Sequence, residues 1–270
     1  MNTPGAAQAL ERLPALDDKA ARLLVAARRQ GTLAERLPIE LRPTNLEEGF
    51  AIQQRVGDQL GWQTAAWKCA LPPAGKLIAA PIYDAVIHRG AQYRIRAGLA
   101  QSCVRVEPEL ACLLAHDLPP RRDAYGEAEV FDALGNVHVA LELLGSRYVH
   151  PETLTFPELL ADGLFNAGLV IGPRVELREG ATPTDLPAEF TVSVTRAGHD
   201  TVSFAGRHPD RSVLAPIVWL ANFLRVRGLG LHAGQAVITG SYAGVLELPI
   251  GCELHIGFGD LGTLPLTFLS

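Results

Sequence analysis

Hydrophobic periodicity divides the chain near residue 64. Ala20, Leu23, Leu24 and Ala27 recur at i, i+3, i+4 and i+7, which predicts a helix from about Asp18 to Gln30. Arg28 and Arg29 suit its C-terminal end, and Gly31 can stop it. Thr44-Asn-Leu-Glu47 is a capping-box pattern that opens a second helix to about Leu60, with Gly61 just beyond. From about Ala65 the pattern changes to short apolar runs split by Pro and Gly. These predict strands at 65–70, 92–95, 104–114, 137–144, 190–196 and 201–205, the last two joined as a hairpin through Ala197-Gly-His-Asp200. A helix follows from Ser212, its N-cap, to about Arg227, with Leu214, Ile217, Val218, Ala221 and Leu224 on one face. Pro216 is tolerable only in its first turn, and Gly228 ends it. Further strands are predicted at 236–239, 253–258 and 264–269. Strands dominate the second half with few βαβ alternations. The expectation is an α+β fold with a mixed, rolled sheet: a helical N-terminal lobe over residues 1–64 and a β-rich core over 65–270.

With 270 residues, 48% of them apolar, the chain is long enough for one substantial core, and it has no low-complexity tract. A formal charge of −5, with no basic run interleaved with aromatics, excludes an evident nucleic-acid surface. Cys69, Cys103, Cys112 and Cys252 form no C-x-x-C and no zinc-type pairing, so reduced thiols and a cytoplasmic location are expected. The N-terminus has no apolar segment of a signal peptide, and no run of eighteen apolar residues predicts a membrane span.

Candidate chemistry concentrates in two of the strand-like runs. Within Cys103–Leu114, alternation puts Glu107 and Glu109 on one face, roughly 6–7 Å apart at Cα, and Leu110, Cys112 and Leu114 on the other. Within Val137–Leu144, Val137, Val139, Leu141 and Leu143 share a face and Glu142 takes the opposite one. A carboxylate in so apolar a segment needs a partner or a cation. Three strand-borne carboxylates suit a hard ion such as Mg²⁺ or Mn²⁺. The same spacing also fits a solvated strand edge, which Pro108 suits because it lacks a ladder donor, with Glu142 paired to Arg105 or Arg147. Spacing alone does not choose between these readings.

Lys68 lies in the apolar run Ala65-Ala-Trp-Lys-Cys-Ala70. If buried it would lose hydration and its pKa would fall, as an acid/base lysine requires. Local sequence alone favours an edge-strand lysine whose ammonium reaches water. There is no phosphate-binding G-x-x-x-x-G-K-[ST], and Gly228-Leu-Gly-Leu-His-Ala-Gly234 follows a helix and reads as a loop. Gly240-Ser241-Tyr-Ala-Gly244 places its serine one position too early for a nucleophile elbow, which argues against a serine hydrolase. His138 shares the face of Glu142 but reads as a structural histidine.

Taken in order, these segments resemble the 2-keto-4-pentenoate hydratase and 4-oxalocrotonate decarboxylase branch of the fumarylacetoacetate-hydrolase-like superfamily. The resemblance runs from about residue 40 to the C-terminus. Its blocks are Leu46–Gln54, Trp67-Lys68, Val106-Glu-Pro-Glu-Leu-Ala111, Ala140-Leu-Glu-Leu-Leu144, Ala161–Gly172 (similar to a substrate-side loop), Val218–Leu224 and Leu231–Ser241. It implies that Glu107, Glu109 and Glu142 hold Mg²⁺ or Mn²⁺ and that Lys68 faces a small 2-oxo acid. Arg147, Asn166 and Ser241 would contact that substrate. It further implies a homo-oligomer, or a complex with a related chain, and no nucleic-acid or membrane partner.

The implied reaction is addition of water to an unsaturated 2-oxo acid or dienol such as 2-hydroxypenta-2,4-dienoate, in aromatic catabolism. Decarboxylation of a 2-oxo acid is the nearest alternative, and a catalytically impaired partner subunit is another. Hydrolysis of an acylpyruvate lacks a convincing histidine–acid pair. Several positions depart from the family pattern. Gly145-Ser146-Arg147 stands for Asp-Ser-Arg, and Cys69-Ala-Leu-Pro72 for a small-residue stretch ending in Thr. Leu77-Ile-Ala-Ala80 has no acid, with only Asp84 nearby, and Asp162-Gly-Leu-Phe-Asn166 replaces Asp-Asn-Ala-Ser-Ser. These changes point to a more apolar substrate or to reduced activity.

Overall fold

The computed structural model describes residues 6–90, 93–96, 103–176 and 185–270. Two helices open the chain, α1 (Ala6–Gln30) and α2 (Leu46–Leu60). The first starts a dozen residues before the expected Asp18. Gly31, Gly61 and Gly228 all take the left-handed conformation just past a helix, as anticipated. The α2 cap is one residue later than the capping-box reading. Asn45 Oδ1 accepts the Glu48 N–H at 3.0 Å, and the Glu48 carboxylate, not that of Glu47, accepts the N–H and hydroxyl of Thr44.

The larger sheet contains β1 (Thr64–Cys69), β2 (Ala79–Tyr83), β3 (Ile87–His88), β5 (Cys103–Leu114), β6 (Leu134–Leu144), β7 (Asn166–Arg174), β10 (Ala236–Ile238) and β11 (Leu246–Pro249). Its order is β2-β1-β10-β5-β6-β7-β3, with β11 pairing β5. The smaller sheet runs β4-β13-β12-β8-β9, from β4 (Tyr93–Arg96), β8 (Glu189–Arg196), β9 (Val202–Arg207), β12 (Glu253–Phe258) and β13 (Thr263–Leu269). Parallel and antiparallel pairings are mixed, and β8 and β9 form the expected hairpin. Helix α5 (Leu214–Arg225) stops two residues before the expected Arg227, and Ser212 Oγ accepts the N–H groups of Leu214 and Ala215. Short helices α3 (Glu127–Asp132) and α4 (Phe156–Ala161) complete the set. Of the expected strand at 92–95, Gln92 lies outside the described residues. No described helix is long and apolar enough to cross a membrane.

The large sheet is rolled. β2 stands at one end of the strand order, yet it touches β7 near the other. Small residues make the tight curl possible: Ala66, Ala111, Ala140 and Ala236 line the inner face with Ile82, Leu169, Ile171 and Ile238. Val106, Leu110, Cys112, Val137, Val139 and Leu141 point outward into the main core, shared with α5 and the second sheet. The helical lobe packs on the roll through Leu24, Ile52 and Val56, which meet Tyr83, Tyr148 and Ala161.

β5 is a central strand, so the solvated-edge reading of Glu107-Pro-Glu109 fails. Pro108 falls between the stretch paired to β11 (103–106) and the stretch paired to β10 (111–113). There the 239–245 connection replaces a partner strand. The Pro108 carbonyl accepts the Tyr242 N–H at 2.9 Å, and its missing N–H leaves no donor orphaned. The inner face has no room for larger side chains. Ala111→Leu should lower the unfolding free energy by about 1–3 kcal/mol in urea melts, and unchanged stability would show the roll to be loosely filled.

Candidate functional site

Strand register brings the three glutamates together. Glu107 lies directly opposite Glu142 across the β5–β6 pair, and Glu109 is opposite Ala140. All three project from the inner face, with carboxylate oxygens within 4.8 Å of one another. Glu142 is fully buried and Glu109 nearly so. Two carboxylates facing each other on adjacent strands repel, so the cluster needs positive charge.

Lys68 supplies part of it. Its Nζ donates to both oxygens of Glu142, at 2.7 and 2.8 Å, and to the Leu164 carbonyl at 3.1 Å. Lys68 aligns with Ile238, Ala111 and His138 across the sheet, four residues along β6 from Glu142. On a flat sheet the two would sit about 20 Å apart. They meet because the sheet is rolled, which is why no local pattern predicts the pair. Among the described residues, Lys68 alone forms an ion pair with a triad carboxylate; neither Arg105 nor Arg147 pairs with Glu142.

The Lys68 side chain is 13% exposed, so it does not snorkel to bulk water. Burial pulls its pKa down, but Glu142, Glu107 and Glu109 outweigh burial and the net shift is upward. The depressed pKa expected of a buried lysine is therefore not found; the neighbouring carboxylates keep the ammonium charged. Burial, then Glu142, pushes Glu107 up to about 7. Burial, with Glu142 and Glu107, raises Glu109 well above the ordinary carboxylate range.

Backbone and amide donors complete the pocket. Gly240 N–H donates to Glu109 Oε2 at 2.6 Å. A Cβ at residue 240 would lie 2.6 Å from Pro209 Cγ, and φ is +138°, so only glycine brings the amide in at this angle. Asn166 Nδ2 donates to Glu142 Oε1 at 2.8 Å. Ser241 Oγ is on the same loop as Gly240 and donates to backbone carbonyls, at 2.8 Å to Gly244 and 3.3 Å to Pro108.

The residues expected to contact substrate thus occupy three settings. Asn166 is buried against Glu142, Ser241 borders the Glu109 loop, and Arg147 is buried with its donors directed to Asp162 and the Asn166 carbonyl. Residues 161–172 are not a single loop: α4 ends, a turn covers 163–165, and β7 starts at Asn166. His138 lies on the same sheet face as Glu142, four residues away along β6, and its Nδ1 is engaged 2.9 Å from the Gly172 carbonyl oxygen. Asp84 accepts the Gln63 and Ala85 N–H groups in a turn. Sequence reasoning missed Leu164 and Gly240, which act through backbone atoms, and Asp162.

No family model matches the chain. It is 30% identical over 175 residues to the 2-oxo-hept-4-ene-1,7-dioate hydratase of Escherichia coli, spanning 61% of each chain. It is 24% identical to the TodF product hydratase of Pseudomonas putida, over 93% of this chain and 94% of that one. The chain spans about three fifths of the length of the first curated relatives it matches, at 61% and 60%. Among solved structures, 4-oxalocrotonate decarboxylase from Pseudomonas putida G7, complexed with magnesium and adipate, superimposes with a TM-score of 0.72. That match covers 93% of this chain and 97% of the other at 18% identity. A fumarylacetoacetate hydrolase family protein from Yersinia pestis matches at TM-score 0.52 and 18% identity, over 75% and 91% of the two chains. These structural matches show the fold.

The raised Glu107 pKa carries a stability consequence. Its folded value of about 7 exceeds the ordinary 4.5, so between these values the folded state binds more protons than the unfolded chain. Stability of the metal-free protein should therefore fall as pH rises from about 4.5 through about 7, with Glu109, which is also raised, adding to the fall. Melting temperature in EDTA across this range checks the trend. Glu107→Gln should flatten it, and an equal slope in that variant would refute the assignment.

Proposed function

We propose, from its likeness to the 2-oxo-hept-4-ene-1,7-dioate and TodF product hydratases and from the fold it shares with 4-oxalocrotonate decarboxylase, that the chain is a divalent-metal-dependent hydro-lyase adding water to an unsaturated 2-oxo acid. The observation that carries this reading is the triad itself: three inward carboxylates, two directly opposed, balanced by one ammonium. That donor set fits a hard divalent cation, which favours carboxylate oxygens. Glu107, Glu109 and Glu142 would hold Mg²⁺ or Mn²⁺. The magnesium in the related decarboxylase structure supports the choice. When bound, the ion supplies a Lewis acid that polarises the 2-oxo group and stabilises negative charge developing there.

The chain's own groups do the rest. Gly240 N–H fixes Glu109, and Asn166 and Lys68 fix Glu142, so the ligands are preorganised. Lys68 is the titratable group poised to move protons. In ketonisation of a 2-hydroxydienoate, the proton leaving the 2-hydroxyl is replaced by one gained at C5. In the addition that follows, water loses a proton, its oxygen bonds to C4, and C3 gains a proton. We assign both transfers to Lys68 Nζ, which stays close to neutral exchange by giving up one proton for each it takes. Loss of CO₂ from a 2-oxo acid would draw on the same first contacts, and the reaction product distinguishes it.

The test uses EDTA-stripped protein and 2-hydroxypenta-2,4-dienoate, with and without Mg²⁺ or Mn²⁺. Metal-dependent loss of dienol absorbance, yielding the 4-hydroxy-2-oxo acid, is expected. Lys68→Ala and Glu107→Ala should each lower kcat about 100-fold or more. Release of CO₂ would replace hydration with decarboxylation, and equal turnover without metal would overturn the reading.

A further inference from the structure

The turn after α4 holds three consecutive residues in the left-handed region: Gly163 at φ +82°, Leu164 at +53° and Phe165 at +66°. Glycine adopts this conformation freely, but leucine and phenylalanine do so at a cost that the surroundings must offset. This turn delivers the Leu164 carbonyl to Lys68 and, one residue later, the Asn166 amide to Glu142. Its backbone is pinned from within by Leu164 N–H to the Leu159 carbonyl at 2.8 Å and Gly145 N–H to the Phe165 carbonyl at 2.8 Å.

The residue at its root is Asp162, 2% exposed. Its carboxylate accepts Arg147 Nε at 2.6 Å and the Arg147 backbone N–H at 3.1 Å. Its carbonyl accepts both Arg147, through one terminal nitrogen at 2.6 Å, and Arg28 at 2.8 Å. The other terminal nitrogen of Arg147 donates to the Asn166 carbonyl at 2.8 Å. Arg147 therefore holds both ends of the left-handed segment, and Arg28 ties it to α1. The two guanidinium groups crowd one carboxylate: burial and Arg147 lower the Arg28 pKa to about 10.

We propose that Asp162, clamped by Arg28 and Arg147, is the positioning residue of the site: it locks a strained left-handed turn so that Leu164 O and Asn166 Nδ2 hold Lys68 and Glu142 in register. This role rests on the proposed function only insofar as Lys68 and Glu142 act in catalysis. Arg147 is then a positioning residue reached through Asp162, not a substrate ligand. Arg28 makes the first helix part of the active site, although it touches none of the reacting groups.

Arg28→Lys is the decisive variant, because it keeps the charge and loses the planar fork. Asp162→Asn is the second. In Arg28→Lys, kcat should fall about 10- to 100-fold, the scale of a displacement near 1 Å. KM for the 2-oxo acid should stay within about twofold of wild type on the same scale of argument, and the melting temperature should stay within a few degrees, whereas the Kd for Mn²⁺, measured by calorimetry, should rise as Glu142 shifts. A fall in kcat accompanied by a large loss of melting temperature would show general loosening and overturn the proposal. So would a kcat within twofold of wild type in both variants. A crystal structure of Arg28→Lys reads the geometry independently of turnover. Left-handed residues 163–165 with Leu164 O still at hydrogen-bond distance from Lys68 would refute the clamp, even if no 2-oxo acid is turned over. A relaxed turn in a protein that turns over nothing would uphold the clamp and remove the proposed reaction instead.

Discussion

Half-buried Glu107 and fully buried Glu142 face each other across two central strands, and the architecture around them makes that arrangement tolerable. An unbalanced buried carboxylate pair is unfavourable by several kcal/mol, on the order of what a domain's whole net stability comprises. The roll brings Lys68 to Glu142 from three strands away. The interruption between β10 and β11 lets Gly240 turn its amide onto Glu109. The turn after α4 sets Asn166 against the other side of Glu142. Each of these features departs from regular secondary structure locally, and each supplies a donor to a triad carboxylate.

The helical lobe is tied into the same system. Glu158 of α4 is fully buried, accepts Arg36 through both oxygens at 2.7 and 2.6 Å, and accepts the Thr155 N–H and hydroxyl as an N-terminal capping box. The carboxylate lies below its ordinary pKa because these donors outweigh burial. Arg36 follows α1, and α4 leads straight into the left-handed turn. Two ion pairs, Arg28–Asp162 and Arg36–Glu158, thus connect the first forty residues to the segment that orients Lys68. A lobe attached only by apolar packing could slide; buried charge pairs with directional forks resist that, because breaking one strands a charge in a low-dielectric interior.

Period-2 alternation paired Glu107 with Glu109 on one face of their strand, set Glu142 opposite the apolar face of its own, and sent Leu110, Cys112, Val139 and Leu141 to the core side. Alternation reads as facing within a strand only; that the two strands bring their acids together depends on register, so the triad came from the resemblance and not from spacing. β2 was not: all five residues of Ala79–Tyr83 are buried, so no alternation marks it. β7 was hidden because its start is set by a turn of non-glycine left-handed residues, which composition does not announce. Lys68 was visible as a lysine in an apolar run, but its partner and the direction of its pKa shift depend on a contact made by curvature. Arg147 carried the resemblance, yet a guanidinium's role is set by where its donors point. Here they point to Asp162 and Asn166.

The turn also joins the charged site to an apolar cluster behind it. Leu164 gives its carbonyl to Lys68, while its side chain packs with Phe50, Leu77, Ala80 and Leu160. Phe50 stacks edge-on against Phe223, which lies in turn beneath Arg227. Leu77, Ile78 and Ala80 thus share one apolar cluster with Leu164 of the turn. The nearby guanidinium groups are already engaged: Arg28 and Arg147 with Asp162, Arg36 with Glu158. The apolar packing around Leu164 thus fixes from behind the carbonyl that holds Lys68, while the Arg147–Asp162 pair fixes the backbone at the root of the turn.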